Sequence, residues 1–400
     1  MNETTSSGYE RQQHFITDSG WSAFDAMEVT AKKCNARLGP TQQQAYSIDE
    51  SSVGKSGKSS VGVSSQYNGN LGKVENSQTG VYASLSNRDK VGLINVRLFL
   101  PDIWVDDSKR CLKAGVPKEE IVKKSKITLA LEMIEQDIAR GIEFGWVNAD
   151  GLYGNSTEFC NGIDDLDKAF VADIHKDKLV YLEDPKPSLP TFEHKKRGHK
   201  PKKVTTSKKP LQVCQYMKSL NDSDFKKVKI RKGTKGWIES FLYTKQVWVW
   251  DKKEEHGRKR TLIIRRSLNR KETKFALSNL SVEQKTEQEF AFMQSQRYWI
   301  ERAFQTCKSE LGMADYQIRK YRAWYHHQAL FFIAMDFANQ IKESKKHTIP
   351  LLSTTDIRLL LIAYLINDGV KMEKEVEQMI IRHKQRIKDI KRYYPENDFF

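Results

Sequence analysis

Cysteine is scarce and scattered: five residues in 400, at 34, 111, 160, 214 and 307, with no Cys-x-x-Cys among them. That spacing speaks against a disulfide framework and a zinc module, and fits a reducing cytoplasm. Long apolar runs are missing as well. The best, ALFFIAM, stops at Asp336, far short of the roughly 18 residues of a membrane span, so no membrane partner is expected. The amino terminus, MNETTSSGYERQQHF, has no apolar stretch of the signal-peptide kind, and no internal repeat is visible.

A nucleotide-binding loop is also lacking, although SIDESSVGKSGKSSVGV (Ser47 to Val63) invites one. Gly-x-x-x-x-Gly-Lys-Ser needs its first glycine at position 52 or 49, where Ser52 and Asp49 stand. The residues that follow are rich in Gly and Asn and show no helical period, so the helix N-terminus that completes a phosphate cradle is absent too. No nucleotide partner is expected. The residue of interest in this stretch becomes Asp49, with Lys55 and Lys58 as cations in the loop just after it.

Negative charge is sparse in one block. Residues 186 to 270 hold 25 Lys and Arg against 7 Asp and Glu, an excess of 18, while the whole chain carries +16; the remainder is slightly acidic, at −2. The run HKKRGHKPKKVTTSKKP (194 to 210) reads as a solvated linker or loop. The block then continues into strands that bear Trp237, Trp248 and Trp250, and cations interleaved with aromatics suit a phosphate backbone and exposed bases. Nucleic acid is the expected partner.

Along the chain, residues 1–43 suggest a short helix or two. QAYSID (44–49) reads as a strand ending in Asp49, and SQTGVYASLS and VGLINVRLFLP as two more, together an antiparallel meander. SKITLALEMIEQDIARG predicts a helix with Ile127, Leu131, Ile134 and Ile138 on one face and Gly141 at its end. FGWVNAD predicts a strand ending in Asp150, followed by a helix from about Ser156 and the strand KAFVADI. The order β-β-β-α-β-α-β predicts an α/β protein with a mixed sheet and flanking helices, the order of a ribonuclease-H-like core. Three strands are expected in the basic block, then a single long helix over 282–311, a second over 324–341, and two more after Pro350. In the last of these Met372, Val376, Met379, His383, Ile387 and Ile390 form a docking stripe.

In such a core the strands that end in Asp49 and Asp150 are neighbours. Two carboxylates held side by side raise each other's pKa unless cations bridge them. Mg²⁺, with Mn²⁺ as a substitute, is the natural bridge for oxygen donors. Glu301 on the 282–311 helix offers a third acid, with Arg297 and Lys308 on the same face able to reach phosphate oxygens. Each acid also has a plainer role: Asp49 as opener of a Ser/Gly-rich turn, Asp150 as cap of the turn ADGLYG, and Glu301 as half of an exposed helix pair with Arg297. The adjacent His326 and His327 read as packing or surface residues.

These residues resemble the DDE transposases of bacterial insertion sequences, in the branch with a Tyr-Arg-Glu-Lys signature and a β-rich insertion ahead of the glutamate. The resemblance rests on IDESSVGKSGKSSVGVSSQYNGNLGKVENSQTGVY, RLFLPDIWVDDSKRCLKAGVP, GWVNADGLYG, QRYWIERAFQTCKSELGMADYQIRKYRAWYHHQAL and PLLSTTDIRLLL. Arg297, Glu301 and Lys308 fit the signature spacing; its tyrosine position holds Gln294, and Tyr298 is out of register with it. The resemblance implies a catalytic and metal-binding triad of Asp49, Asp150 and Glu301. It also implies two-metal cleavage at the element ends, attack of the freed 3′-hydroxyl on target DNA, and a pair of subunits in the complex with DNA. Some relatives pass through a DNA hairpin, in which one of the tryptophans stacks on an extruded base. The expected organisation is a shortened DNA-binding segment (1–43), a catalytic core in two parts (44–180 and 282–345) around a basic β-rich insertion domain (181–281), and a helical C-terminal region (346–400). The setting implied is the bacterial cytoplasm, at the nucleoid. A DNA-binding remnant without cleavage and a nuclease that cuts without joining are the alternatives.

Overall fold

Twelve strands are formed by the described residues: β1 (Ala45–Gly54), β2 (Ser64–Asn68), β3 (Lys73–Asn87), β4 (Lys90–Leu98), β5 (Trp146–Ala149), β6 (Phe170–Ile174), β7 (Leu179–Val180), β8 (Leu211–Gln212), β9 (Lys226–Gly233), β10 (Gly236–Val249), β11 (Arg258–Ser267) and β12 (Thr273–Ser278). The helices are α1 (Tyr9–Thr17), α2 (Ala23–Arg37), α3 (Asp102–Val105), α4 (Ser108–Lys113), α5 (Lys126–Ala139), α6 (Gly151–Gly154), α7 (Thr157–Asp165), α8 (Val213–Lys218), α9 (Glu287–Ser295), α10 (Tyr298–Glu310), α11 (Tyr321–Ser344), α12 (Thr354–Leu365) and α13 (Gly369–Tyr393). The computed structural model describes residues 8–68, 72–189, 203–233, 236–315, 317, 319–366 and 369–393. Of the expected linker, 194–202 lies outside them. None of the described helices is long and apolar enough to cross a membrane.

Ten of the strands make one sheet in the order β2-β3-β1-β5-β6-β12-β11-β10-β9, with β4 also on β3. The meander β1-β3-β4 is antiparallel, and β1, β5 and β6 are parallel. The strands of the basic block continue this same sheet, because β12 pairs antiparallel with β6 through Phe275↔Ile174 to Ser278↔Val171, and β11, β10 and β9 follow.

Both faces are covered, as the near-continuous apolar character of the central strands requires. On one face Tyr46, Ile48, Val147, Ala149, Phe170 and Ala172 pack on α5 and α7. On the other, Ala45, Trp146, Val171, Ile263 and Ala276 pack against Phe290, Ala291 and Met293 of α9. Towards β4, a third cluster joins Tyr82, Leu93 and Val96 to Ile300 and Phe304 of α10 and to Trp324, Tyr325 and Phe332 of α11.

Several elements depart from their expected form. Strand β1 does not end at Asp49 but runs to Gly54, because β3 keeps pairing with it through Gly54↔Ser77 after β5 has stopped. The buried face of α5 is Leu129, Ala130, Met133 and Ile134, with Ile127, Leu131 and Ile138 half-buried at its margin; Ser125 caps its start and Gly141, at φ +82°, follows its end. The single helix expected over 282–311 is two, broken at Gln296 and Arg297. Asn148 Nδ2 donates to the Met293 carbonyl at 2.9 Å, and Trp299 N donates to the Gln296 carbonyl at 3.0 Å, so the turn tightens there and restarts. The α13 stripe docks on α12: Met379 is buried, Arg382 Nη2 reaches Asp356 Oδ1 at 2.7 Å, and His383 Nε2 lies 3.2 Å from Asp356 Oδ2.

Candidate active site

The parallel register of β1 and β5 sets Ile48 opposite Ala149. Asp49, still within β1 and paired with Tyr82 of β3, and Asp150, just past the end of β5, are the next residues along and stand at the same level. Asp49 Oδ1 accepts from Glu50 N at 2.8 Å. Asp150 caps α6, its Oδ1 accepting from Leu152 N at 2.9 Å, so the plainer capping role holds alongside any other. Helix α6 sits hard against β6: a Cβ on Gly154 would run into the Asp173 carbonyl oxygen.

Both aspartates are destabilised as anions. Burial, then the neighbouring Asp150 charge, pushes Asp49 up to about 7, against the opposing pull of Arg297 and the Glu50 N–H, with Glu301 adding a little. Burial likewise raises Asp150, with Glu50 contributing and Arg297 opposing. Two acids that resist ionising beside each other are the electrostatic mark of a site built for a cation.

The cation present is Arg297, at the break between α9 and α10. Its Nη2 lies 2.7 Å from Glu301 Oε1, its Nη1 3.4 Å from Asp49 Oδ2 and its Nε 3.3 Å from Asp173 Oδ2. Burial alone would lower its pKa; the carboxylates of Asp173, Asp49, Glu301 and Asp150 more than offset that. One guanidinium thus gathers acids from β1, β6 and α10. Lys308, one face down α10, is half-buried and lowered by burial, with Asp49 pulling the other way.

Asp173, and its pairing with Gln294, are not among the sequence expectations. Gln294, buried at the end of α9, donates from Nε2 to Asp173 Oδ1 at 2.8 Å. The one available signal was an acid inside the otherwise apolar strand FVADI. Arg265 on β11 also feels Asp173; burial lowers its pKa, with Arg297 and Arg231 adding to the effect.

Between β9–β10 and α9–α10 opens a cleft of about 1530 Å³ lined by Lys229, Arg231, Trp237, Phe292, Trp299 and Arg302 among others; none of Asp49, Asp150, Asp173 and Glu301 lines it, and it meets β5 at Trp146, the end opposite Asp150. Arg231 lies 4.0 Å over the Tyr298 ring and 5.6 Å from Trp299, and the Lys229 ammonium is 5.5 Å from the Trp237 ring. Trp237 is 51% exposed.

The remaining sequence candidates lie elsewhere. Trp248 is half-buried, its backbone exchanging two 2.8 Å hydrogen bonds with Tyr181, and Trp250 donates from Nε1 to the Glu254 carbonyl at 2.8 Å. Both sit at the end of β10 away from the cleft. Lys55 follows β1 at six residues from Asp49, roughly 20 Å along an extended strand. It is buried, which brings its ammonium down to about 8. Lys58 is exposed, and its carbonyl accepts from Arg110 Nη2 at 2.6 Å. No helix follows the Gly-Lys-Ser triplets before β2. His326 is a packing residue, stacked 4.0 Å from Trp21 with its ring nitrogens on the Ile16 and Trp21 carbonyls. His327 is held near the Gly312 carbonyl, and burial brings it down to about 4.

Among the described residues no three His, Cys, Asp or Glu side chains stand close enough together to hold a metal ion; Arg297 stands among the acids instead. The donor chemistry nevertheless suits a hard divalent cation, being all carboxylate oxygen, with the two aspartates short of counter-charge. Compared with known proteins, the sequence matches no curated protein. A family model described as DDE superfamily endonuclease matches residues 1–237. The match takes in Asp49, Asp150 and Asp173 and ends before Arg297 and Glu301. Spanning more than half of the sequence and both Asp49 and Asp150, it identifies the chain as a member of the DDE superfamily of endonucleases.

Proposed function

We propose that the chain is a DNA transposase that cuts DNA at the ends of a mobile element and joins the freed 3′-hydroxyl to target DNA, with Asp49, Asp150 and Glu301 as its catalytic acids. The observation that carries the reading is the Ile48↔Ala149 register, which sets two half-buried aspartates side by side with Glu301 linked to Asp49 through Arg297. The order β4-β3-β1-β5-β6, with only β3 reversed against β1, supports a ribonuclease-H-like core. The basic aromatic cleft supports DNA as the substrate.

Asp49, Asp150 and Glu301 would hold Mg²⁺ or Mn²⁺, which when bound supply an activated attacking oxygen and a stabilised leaving oxygen. The chain's own residues do the rest. Arg297 and Lys308 are the cations next to the acids and bind the phosphate at the cleaved bond, Arg297 through its planar fork. Lys229 and Arg231 hold the flanking backbone, and Trp237, exposed in the cleft, offers a stacking face to an unpaired base. Two subunits, one for each element end, complete the assembly.

The test is a cleavage and joining assay on labelled DNA bearing the element ends, with Mg²⁺ or Mn²⁺, comparing the parent with Asp150→Asn. Metal-dependent 3′-hydroxyl ends and joined products from the parent alone are expected. Cleavage without joining identifies a nuclease, and equal DNA binding without cleavage by either protein refutes the catalytic reading.

A further inference from the structure

Arg297 is held by three carboxylates that are not alike. Asp49 and Glu301 face the two Nη groups and are the acids assigned above to a divalent ion. Asp173 faces Nε at 3.3 Å and is itself fixed, since it sits inside β6 and takes the 2.8 Å hydrogen bond of the buried Gln294 amide on its other oxygen. A guanidinium offers five donors in a rigid fork, so one edge can stay bound while the others change partner.

We propose that Asp173 is a positioning residue, anchored by Gln294, that keeps the Nε edge of Arg297 in place while its two Nη groups leave Asp49 and Glu301 for a DNA phosphate. This rests on the DNA-cutting reading above. It also gives Gln294 a task at the position where the resemblance has a tyrosine: its amide orients one carboxylate oxygen, leaving the other for Arg297. Asp173 belongs to no expected triad, and its nearest charges are cations, Arg297 beside it and Arg265 on β11. An anion among cations that face DNA should weaken DNA binding. Its presence there makes sense if the geometry it imposes on Arg297 outweighs the repulsion it adds.

That opposition gives the test its sign. Binding of a labelled DNA duplex is followed by fluorescence anisotropy over a range of salt, with Ca²⁺ in place of Mg²⁺ so that the DNA stays intact, for the full chain, Asp173→Asn, Arg297→Gln and the double variant. Neutralising an anion that plays no positioning part strengthens binding. If Asp173 positions Arg297, Asp173→Asn instead weakens binding roughly 3- to 10-fold and flattens the plot of log K against log salt by about one unit, as loss of one phosphate contact does. Arg297→Gln gives the same flattening, and adding Asp173→Asn to it brings no further weakening. Binding by Asp173→Asn as tight as the parent's, or equal weakening in both backgrounds, overturns the proposal while leaving the DNA-cutting reading intact. Failure of the parent to bind any DNA overturns both. Should Asp173→Asn fold poorly by circular dichroism, Gln294→Ala carries the same expectation with a smaller weakening, and an unchanged salt slope in that variant overturns the proposal.

Discussion

Replacing Asp49 by Asn should stabilise the metal-free protein, and only above mildly acidic pH. Burial and the Asp150 charge move the Asp49 carboxyl from 3.8 to about 7, some three pH units at about 1.4 kcal/mol each, or about 4 kcal/mol. The folded pKa is raised above the unfolded one. The contribution is therefore fully present below pH 4, where Asp49 is protonated in both states, and is lost as pH rises towards and through 7. Asn cannot ionise and keeps what the parent loses, less the 3.4 Å contact of an ionised Asp49 with Arg297. In urea denaturation with EDTA, the variant and parent should differ little at pH 4, and the variant should be more stable by about 2–4 kcal/mol at pH 8. Mg²⁺ at pH 8 should narrow the gap by stabilising the parent. A difference between the two proteins that does not change from pH 4 to pH 8 would refute the argument that Asp49 is an anion held against its preference.

Two further outcomes follow from other parts of the molecule. Asp356 closes a capping box with Ser353 and receives Arg382 and His383 from α13, contacts that outweigh burial and hold its carboxyl at about 2. Asp356→Ala should cost about 2 kcal/mol in denaturation at neutral pH and expose α13 to proteolysis. In the parent the same contribution is present above pH 4 and disappears as pH falls through about 2, whereas an unchanged midpoint would show that α13 docks by its apolar stripe alone. Trp237→Ala should weaken binding of single-stranded DNA about tenfold, the worth of one base stack. Trp250→Phe, which loses only a hydrogen bond to the Glu254 carbonyl, should leave that binding unchanged.

Asp49 and Asp150 were legible because two facts readable in a sequence coincide on them: an acid next to a short apolar run, and an element order in which those runs are parallel neighbours. Arg297 and Glu301 were legible from their spacing. The break that sits at Arg297 was not, since neither Gly nor Pro marks it. It is made by a distant residue, Asn148, bonding the Met293 carbonyl, and by acids on other strands gathering the guanidinium. Alternation in the basic block announced strands but could not say which edge they join. The pairing of β12 with β6 depends on backbone groups that every residue carries. The tryptophans show the same limit. Trp248 and Trp250 share the sequence context of Trp237, yet Tyr181 and Glu254 pack them away while Trp237 stays open.

The continuity of the sheet has a chemical consequence. Because β12, β11, β10 and β9 extend the same sheet as β1, β5 and β6, the acids and the cations lie on one rigid framework, with Arg297 at their junction. Arg231 on β9 and Arg265 on β11 stand on the basic side, and Asp49 and Asp150 on the acidic side. On the proposed reading, a phosphate approaching from the basic strands draws the Nη groups of Arg297 towards it. That withdraws counter-charge from Asp49 and Glu301 as the DNA arrives. The acids then lack the guanidinium that offsets their mutual repulsion, and on this reading their affinity for a divalent ion rises. By reciprocity the bound ion must raise the affinity for DNA by the same factor. On the same reading, without DNA the guanidinium would compete with a divalent ion for the carboxylate oxygens of Asp49 and Glu301, and metal binding would be restrained until a phosphate arrives.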